Sequence, residues 1–520
     1  MIDPIQKFKC IGVVGAGSMG SMMTLAFAEM GLDVSVWDVA GKNIDKLMHT
    51  VDIAQKEDKT NFKGKISFFR DIDEFTRSLE GKGERKLFMF SITHGHPADS
   101  VLQKIKHDLK PGDIILDGGN ENYRRTERRQ AELRPLGVKW IGMGVSGGYQ
   151  SARRGPSLSP GGDKEAVEDV LPLLQLYSAK DRKTGKPCVT YVGPGGSGHY
   201  VKMCHNGIEG GMLSTTCEAW AILHHGLGLN YDEIADIFAK WNKEGELRET
   251  YLLNIGADML RKRKSAKGDG KGEGVDPADG YVLDDVLDKV VQDDDDTEGT
   301  PYWTIMDTAE RHIAAPTLAA AHYLRVASGN RMERIQVAEK LQIPLPRPLS
   351  GIKDKNDFIE KLRRAVFASY LVSFCQGLEL IARASVDEKW NISLADCIQI
   401  WRAGCIIQSE YIADMLQPVF EANPKIMNMK FIDSVSRALR ENYQPLKEIV
   451  MKCVEIDAYV PAMSASLEYL KYQNGTKLPT KFMEAQMDYF GAHAYNKPGV
   501  PGEDPGPVAK GPHHYEWKPA

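Results

Sequence analysis

Cysteine is scarce in this 520-residue chain. The eight present are Cys10, Cys188, Cys204, Cys217, Cys375, Cys397, Cys405 and Cys453, scattered and without a CxxC pair. That argues against a disulfide framework or a zinc ribbon and predicts small buried hydrophobes in a reducing compartment. The histidine pairs His224-His225 and His513-His514 lack companions at metal-ligand spacing, so no metal site is expected and they read as helix-surface and tail residues. Positive charge is not in excess. The formal net charge is -5, which argues against a nucleic-acid partner. No apolar run looks long enough to span a bilayer, so no membrane partner is expected. Met1-Ile2-Asp3-Pro4 lacks the basic and apolar stretches of a secretory signal, and Glu516–Ala520 matches no peroxisomal or ER address. A cytoplasmic location is expected.

What is present is the mix of a folded soluble protein: 42% hydrophobic and 26% charged residues. The length exceeds one ordinary core and predicts two or three domains. Short apolar runs at Lys9–Val14, Val34–Trp37, Leu87–Ile92, Ile114–Asp117 and Trp140–Met143 leave room for helices between them. Continuous apolar strands alternating with helical patterns imply a parallel sheet covered on both faces. This α/β domain is placed at roughly 1–198. From 199 to 475 the pattern becomes helical, with long segments at Val201–Leu227 and Lys355–Ala384. Arg261–Thr300 interrupts it with a Gly/Lys-rich stretch, read as a flexible surface loop, and a solvated acidic run at Asp293–Asp296. The tail, 476–520, ends in a Pro- and Gly-rich stretch from Tyr495. That stretch is read as disordered or as an arm laid on a partner subunit.

Gly15-Ala16-Gly17-Ser18-Met19-Gly20 follows the first strand and opens a helical pattern, with Asp38 ending the next strand. In that context the glycines allow a tight turn and close approach to a dinucleotide's pyrophosphate, rather than being an ordinary turn. A carboxylate at Asp38 can accept hydrogen bonds from the ribose of NAD and repels the 2′-phosphate of NADP. NAD is therefore expected, with NADP as the alternative, and Lys42 is the nearest local cation.

Lys202, His205, Asn206 and Glu209 lie at i, i+3, i+4 and i+7, on one face of an otherwise apolar helix. Charged groups on a buried face need partners or a task. The spacing alone leaves a structural Lys–Glu pair and a catalytic pair equally open.

Gly198–Glu209 closely resembles the catalytic helix of 6-phosphogluconate dehydrogenases. Ile115–Asn120, Gly144–Gly148 with Gly155-Pro156-Ser157, Trp401–Ile407 and Gln486–His493 resemble further motifs of that family, in order from about Lys9 to Ala494. The resemblance implies a Rossmann-like N-terminal domain, a large all-α domain and an extended C-terminal tail that reaches the other subunit of a homodimer. It implies a metal-free oxidative decarboxylation of a 3-hydroxy aldonate, as in the pentose phosphate pathway. Lys202 would be the general base and Glu209 the acid that protonates the enediol carbon. Asn120, Ser146, Gly147, Gly148, His205, Asn206, Arg325 and His493 would hold substrate, and Asn120 would also meet the cofactor.

The departures from the family are specific. Its usual Asn-Arg-Thr reader of NADP is Asp38-Val39-Ala40 here, and its phosphate-binding Tyr, Lys and second Arg align with Gly210, Glu298 and Met487, leaving Arg325 and His493. Four functions are therefore weighed. They are a true 6-phosphogluconate dehydrogenase, a paralogue acting on a non-phosphorylated aldonate, a 3-hydroxyacid dehydrogenase without decarboxylation, and a nucleotide-binding protein without turnover.

Overall fold

The computed structural model describes residues 3–56, 60–264, 280–290 and 299–518. The expectations for the Gly/Lys-rich stretch, the Asp293–Asp296 run and Glu298 fall largely or wholly outside the described residues. The chain divides into two compact units, Met1–Leu467 and Glu468–Ala520.

The first unit opens with a seven-stranded sheet in the order β3-β2-β1-β4-β5-β6-β7. Its strands are β1 (Cys10–Val14), β2 (Asp33–Trp37), β3 (Ile66–Phe69), β4 (Leu87–Phe90), β5 (Ile114–Asp117), β6 (Lys139–Ser146) and β7 (Ser157–Gly161). The apolar runs are continuous because both faces are covered. Ile11 and Val13 enter one buried cluster, while Cys10 and Val14 enter the other, as the strand's two-residue period requires. The sheet is not wholly parallel as expected. β7 pairs antiparallel with β6. Neither β3 nor β7 was among the expected strands: β3 is only half-buried, and β7 carries Pro160, which an edge strand tolerates.

The helical part is built around the Ser197–Ala221 helix, which runs on into a π-helical turn at Ile222–Gly226. It packs against the Thr300–Glu310, Pro316–Gly329 and Lys355–Asp387 helices, and the last of these packs on Asp433–Glu455. Lys355–Asp387 corrects the reading that no segment could span a bilayer. It has 33 residues, and its most apolar window has a mean hydropathy of 1.5. Yet 94% of that window is buried inside the protein, so the apolar composition serves the core. Asp354 starts this helix by accepting from the backbone N–H groups of Asn356 and Asp357.

The second unit has its own organisation. Asp488, on the Thr480–Gly491 helix, is fully buried and accepts from Ala494 N, His514 Nδ1, Tyr515 N and Trp517 Nε1 at 2.7–3.2 Å. Tyr495 and His513 form a backbone bridge. The stretch from Tyr495 is therefore folded back on its own helix, against the expectation of disorder.

Candidate active site

The catalytic helix reaches the sheet at glycines. A Cβ on Gly198 would lie 2.0 Å from Gly142 O, and one on Gly144 would lie 2.4 Å from Lys202 Cβ. Only bare backbone lets the helix seat this low across β6. The result carries Lys202 over the carboxyl end of β6, where Ser146, Gly147 and Gly148 close the strand, the usual ligand position of an open α/β sheet.

Lys202 is buried, and His205 is wholly so. His205 Nδ1 lies 3.0 Å from Asn206 Oδ1 and 3.6 Å from a Glu209 carboxylate oxygen. Burial holds the His205 pKa well below its ordinary value, and the adjacent Lys202 charge adds to this, so the ring is neutral at physiological pH. Its Nε2 is buried without a hydrogen-bond partner among the described residues. Asn206 donates to Thr300 Oγ1 at 2.8 Å. Thr300 was missed as a site residue, although it stands beside the Glu298 position. Tyr251 was also missed and leaves no sequence signal. Burial raises its hydroxyl pKa, and the nearby Glu209 carboxylate reinforces the shift.

The Asn120 loop is braced from behind. His199, on the catalytic helix, touches Asp117 O at 3.0 Å through Nε2 and Thr126 Oγ1 at 2.6 Å through Nδ1. Burial raises the pKa of the Asp117 carboxyl, against the pull of His199 and of Arg129, whose Nη1 lies 3.6 Å away. Arg129 has no exposed side-chain surface and also binds Asp99, Glu121 and Gly95 O. On the other side, Gly404 of the Trp401–Ile407 segment accepts from Ser157 N at 2.9 Å, and Trp401 lies 6.0 Å from the His205 ring.

The glycine loop fits a dinucleotide. A Cβ on Gly20 would lie 1.9 Å from Gly15 O, so the turn demands glycine there. Above Gly17 a Cβ would meet nothing within 4 Å, and the Ser18–Met30 helix has no side-chain cap at its start. Its first N–H groups are thus open to a pyrophosphate, whereas Gly15 N and Ala16 N, also expected at the cofactor with Gly17, Ser18, Met19 and Gly20, are already bonded to Trp37 O and Asp38. Asp38 is placed differently from expectation. It is buried and accepts from Ala16 N at 2.7 Å, Ala40 N at 2.8 Å and Asn43 Nδ2 at 3.1 Å. Three of the roughly four lone-pair sites of this carboxylate are therefore held by the protein itself.

Residues 10–193 match the NAD binding domain of 6-phosphogluconate dehydrogenase, and residues 198–517 match the C-terminal domain of the same enzyme. The chain belongs to the 6-phosphogluconate dehydrogenase family. It is 66% identical over 502 residues to a decarboxylating 6-phosphogluconate dehydrogenase of Emericella nidulans, covering 96% of this chain and 100% of the relative. Identity to a spinach (Spinacia oleracea) decarboxylating enzyme is 34%, covering 95% of this chain and 96% of the relative. The Plasmodium falciparum 6-phosphogluconate dehydrogenase, solved in its apo form and in complexes with its cofactor NADP+ and its substrate 6-phosphogluconate, superposes with a TM-score of 0.82. That match has 30% identity and covers 98% of this chain and 100% of the other. As a member of this family the chain is a decarboxylating oxidoreductase that uses a nicotinamide cofactor.

Within this family's frame the distal residues separate. Arg325 sits half-buried on the Pro316–Gly329 helix, which packs on the catalytic helix. At Gly210 a Cβ would meet nothing within 4 Å, so the space of the family's Tyr is open. Met487 and His493 belong to the second unit, with the His493 ring 5.8 Å from that of Phe490. The site the structure assembles is thus Lys202, His205, Asn206 and Glu209 with Gly144–Gly148, Thr300 and Tyr251. As for metals, Asp73, His107 and Asp108 bring ligand atoms within 4.8 Å of one another, but on two short helices remote in sequence from this site and mostly exposed.

Proposed function

We propose that this protein oxidises 6-phosphogluconate at its 3-hydroxyl with NADP and decarboxylates the 3-keto product, acting as a homodimer in the cytoplasm. The observation that carries the reading is the buried Lys202–His205–Asn206–Glu209 face seated on Gly144. The cofactor supplies the hydride acceptor. Lys202 Nζ, as the neutral amine, takes the hydroxyl proton, then, protonated, polarises the new carbonyl while the β-carboxylate leaves as CO2. Glu209 returns a proton to the enediol carbon. His205 and Asn206, oriented by each other and by Thr300, hold the substrate's hydroxyls, with Asn120, Ser146, Gly147 and Gly148 at its carboxylate end. NADP is supported by the Plasmodium relative's cofactor and by Asp38, whose carboxylate is largely occupied by the protein. Dimerisation is supported by the second unit, whose Thr480–Gly491 helix leaves Phe482, Met483, Tyr489 and Phe490 exposed. It would bring His493 to a neighbour's pocket. The free thiols suit a reducing compartment.

A second reading, a non-phosphorylated aldonate, is favoured by the open space at Gly210 and by Met487 where the family has Arg. A panel assay decides. NAD and NADP are each offered with 6-phosphogluconate and with gluconate, recording reduced cofactor and CO2. The first reading expects NADP with 6-phosphogluconate to dominate. Preference for gluconate, restored to 6-phosphogluconate by Gly210→Tyr with Met487→Arg, overturns it in favour of the second.

A further inference from the structure

The family's arginine after β2 is missing here, and the side chain in its place, Val39, is 81% exposed and carries no donor. Asp38 faces inward, bracing the glycine loop against the turn that follows β2. A 2′-phosphate on the adenine ribose would therefore find no cationic donor on β2's own loop except exposed Lys42. The neighbouring strand supplies another. β2 and β3 pair in parallel with Trp37 opposite Phe69, so Arg70, the residue that follows β3, leaves the sheet beside Asp38, which follows β2. Trp37 Nε1 donates to Arg70 O at 3.2 Å and fixes that backbone at the sheet's carboxyl edge. The guanidinium then folds back over the start of the Gly41–Lys56 helix. Its Nη1 would lie 2.5 Å from a Cβ on Gly41, so in this pose the guanidinium uses the space left by the missing side chain.

We propose that Arg70, assisted by Lys42, reads the 2′-phosphate of NADP in this chain, taking over from the arginine that its relatives carry after the second strand. The proposal rests on the NADP reading above. Asp45 pairs with Arg70 through Nη2, with both side chains 60% exposed. An exposed pair of this kind is worth little, and a guanidinium has five N–H donors, so a phosphate dianion can share Arg70 with Asp45 or displace it. The pairing has a use of its own: it holds the guanidinium in place over Gly41 before the cofactor arrives. A carboxylate one turn into the helix also means that an unphosphorylated ribose leaves the Arg70 charge already satisfied.

The test is direct binding to the full-length protein by calorimetry, with adenosine 2′,5′-bisphosphate and adenosine 5′-monophosphate as probes, followed by kcat/KM for NADP and NAD. Arg70→Ala is expected to weaken bisphosphate binding about ten- to a hundredfold while leaving the monophosphate within about twofold, because one bidentate charged contact is lost. Arg70→Lys should fall between, and kcat/KM for NADP should drop with kcat largely kept. Unchanged bisphosphate affinity in Arg70→Ala, in a wild type that does prefer the bisphosphate, overturns the role of Arg70 alone. A wild type that binds both probes equally overturns the NADP reading beneath it.

Discussion

The carboxylate of Glu218 lies under the first turn of the Pro461–Gln473 helix, accepting from Ala462 N at 2.8 Å and from Met463 N at 3.0 Å. Glu218 stands on the same helix as Lys202, so it ties the catalytic helix to the start of the Pro461–Gln473 helix. Burial pushes its pKa up to about 7 from the ordinary 4.5, against the opposing pull of those two N–H groups and of Ser214. The folded chain thus holds this proton more tightly than the unfolded one. Stability from this group is full below the unfolded value, falls as pH rises toward about 7, and is flat above. Glu218→Gln cannot ionise. Urea denaturation at about pH 5 and about pH 8 should show the difference between variant and wild type moving in the variant's favour at the higher pH, by on the order of 1–3 kcal/mol. An equal difference at both pH values would mean the group does not titrate in this range.

Lys202→Met and Glu209→Gln should each cut turnover by about 10²–10⁴-fold, the usual contribution of a positioned acid or base. Cofactor affinity, measured by fluorescence quenching, should change little, since neither residue belongs to the glycine loop. Near-normal turnover of Lys202→Met would remove the proposed base.

Gly144→Ala tests the seating of the catalytic helix. The added Cβ would stand 2.4 Å from Lys202 Cβ and 2.3 Å from Ser159 Oγ, so the helix must lift or a rotamer must strain. Overpacking of this kind typically costs ~1–3 kcal/mol. A lower melting temperature by calorimetry and a kcat loss exceeding any rise in the cofactor's KM are expected. A variant that melts and turns over like wild type would show that β6 has slack.

Asp488 orders the second unit, so Asp488→Ala should expose 480–518 to proteolysis and raise its hydrogen exchange, while Trp517→Phe, which removes one donor of four, should do so mildly. If the tail completes a neighbour's pocket, Asp488→Ala also raises the KM for substrate more than that for cofactor. Unchanged protection of 480–518 would show that Asp488 is not the organiser. Although burial opposes it, the four donors hold the Asp488 carboxyl well below the usual carboxylate range, so this order should persist to acid pH and fail only as the pH drops far below neutral.

Much of the fold is legible because burial on both faces writes nearly continuous apolar runs: β1, β2 (broken only by Ser35), β4, β5 and the core of β6 are such runs. β3 and β7 are not, since β3 is half-buried and Ser-Leu-Ser-Pro-Gly has none of the β-branched character of a strand. The catalytic face was legible from its period, but the fate of Asp38 was not. An acid at a strand's end is visible in sequence. That Ala16, Ala40 and Asn43 occupy its lone pairs depends on how two turns meet in space. Arg70 was hidden for a related reason. It lies 32 positions beyond Asp38 in sequence and becomes its neighbour only through strand pairing.

The cover of the catalytic helix, Lys355–Asp387, is made long after the helix itself. Residues 222–354 emerge from the ribosome in between. At ~5–20 residues per second that interval lasts on the order of ten seconds, during which the side of Ser197–Ala221 that packs on Lys355–Asp387 stays uncovered, although β6 and β7 are already made. Nascent chains of this protein should therefore depend on holding chaperones until residue 387 has cleared the exit tunnel, and fragments that stop short of it should aggregate rather than fold.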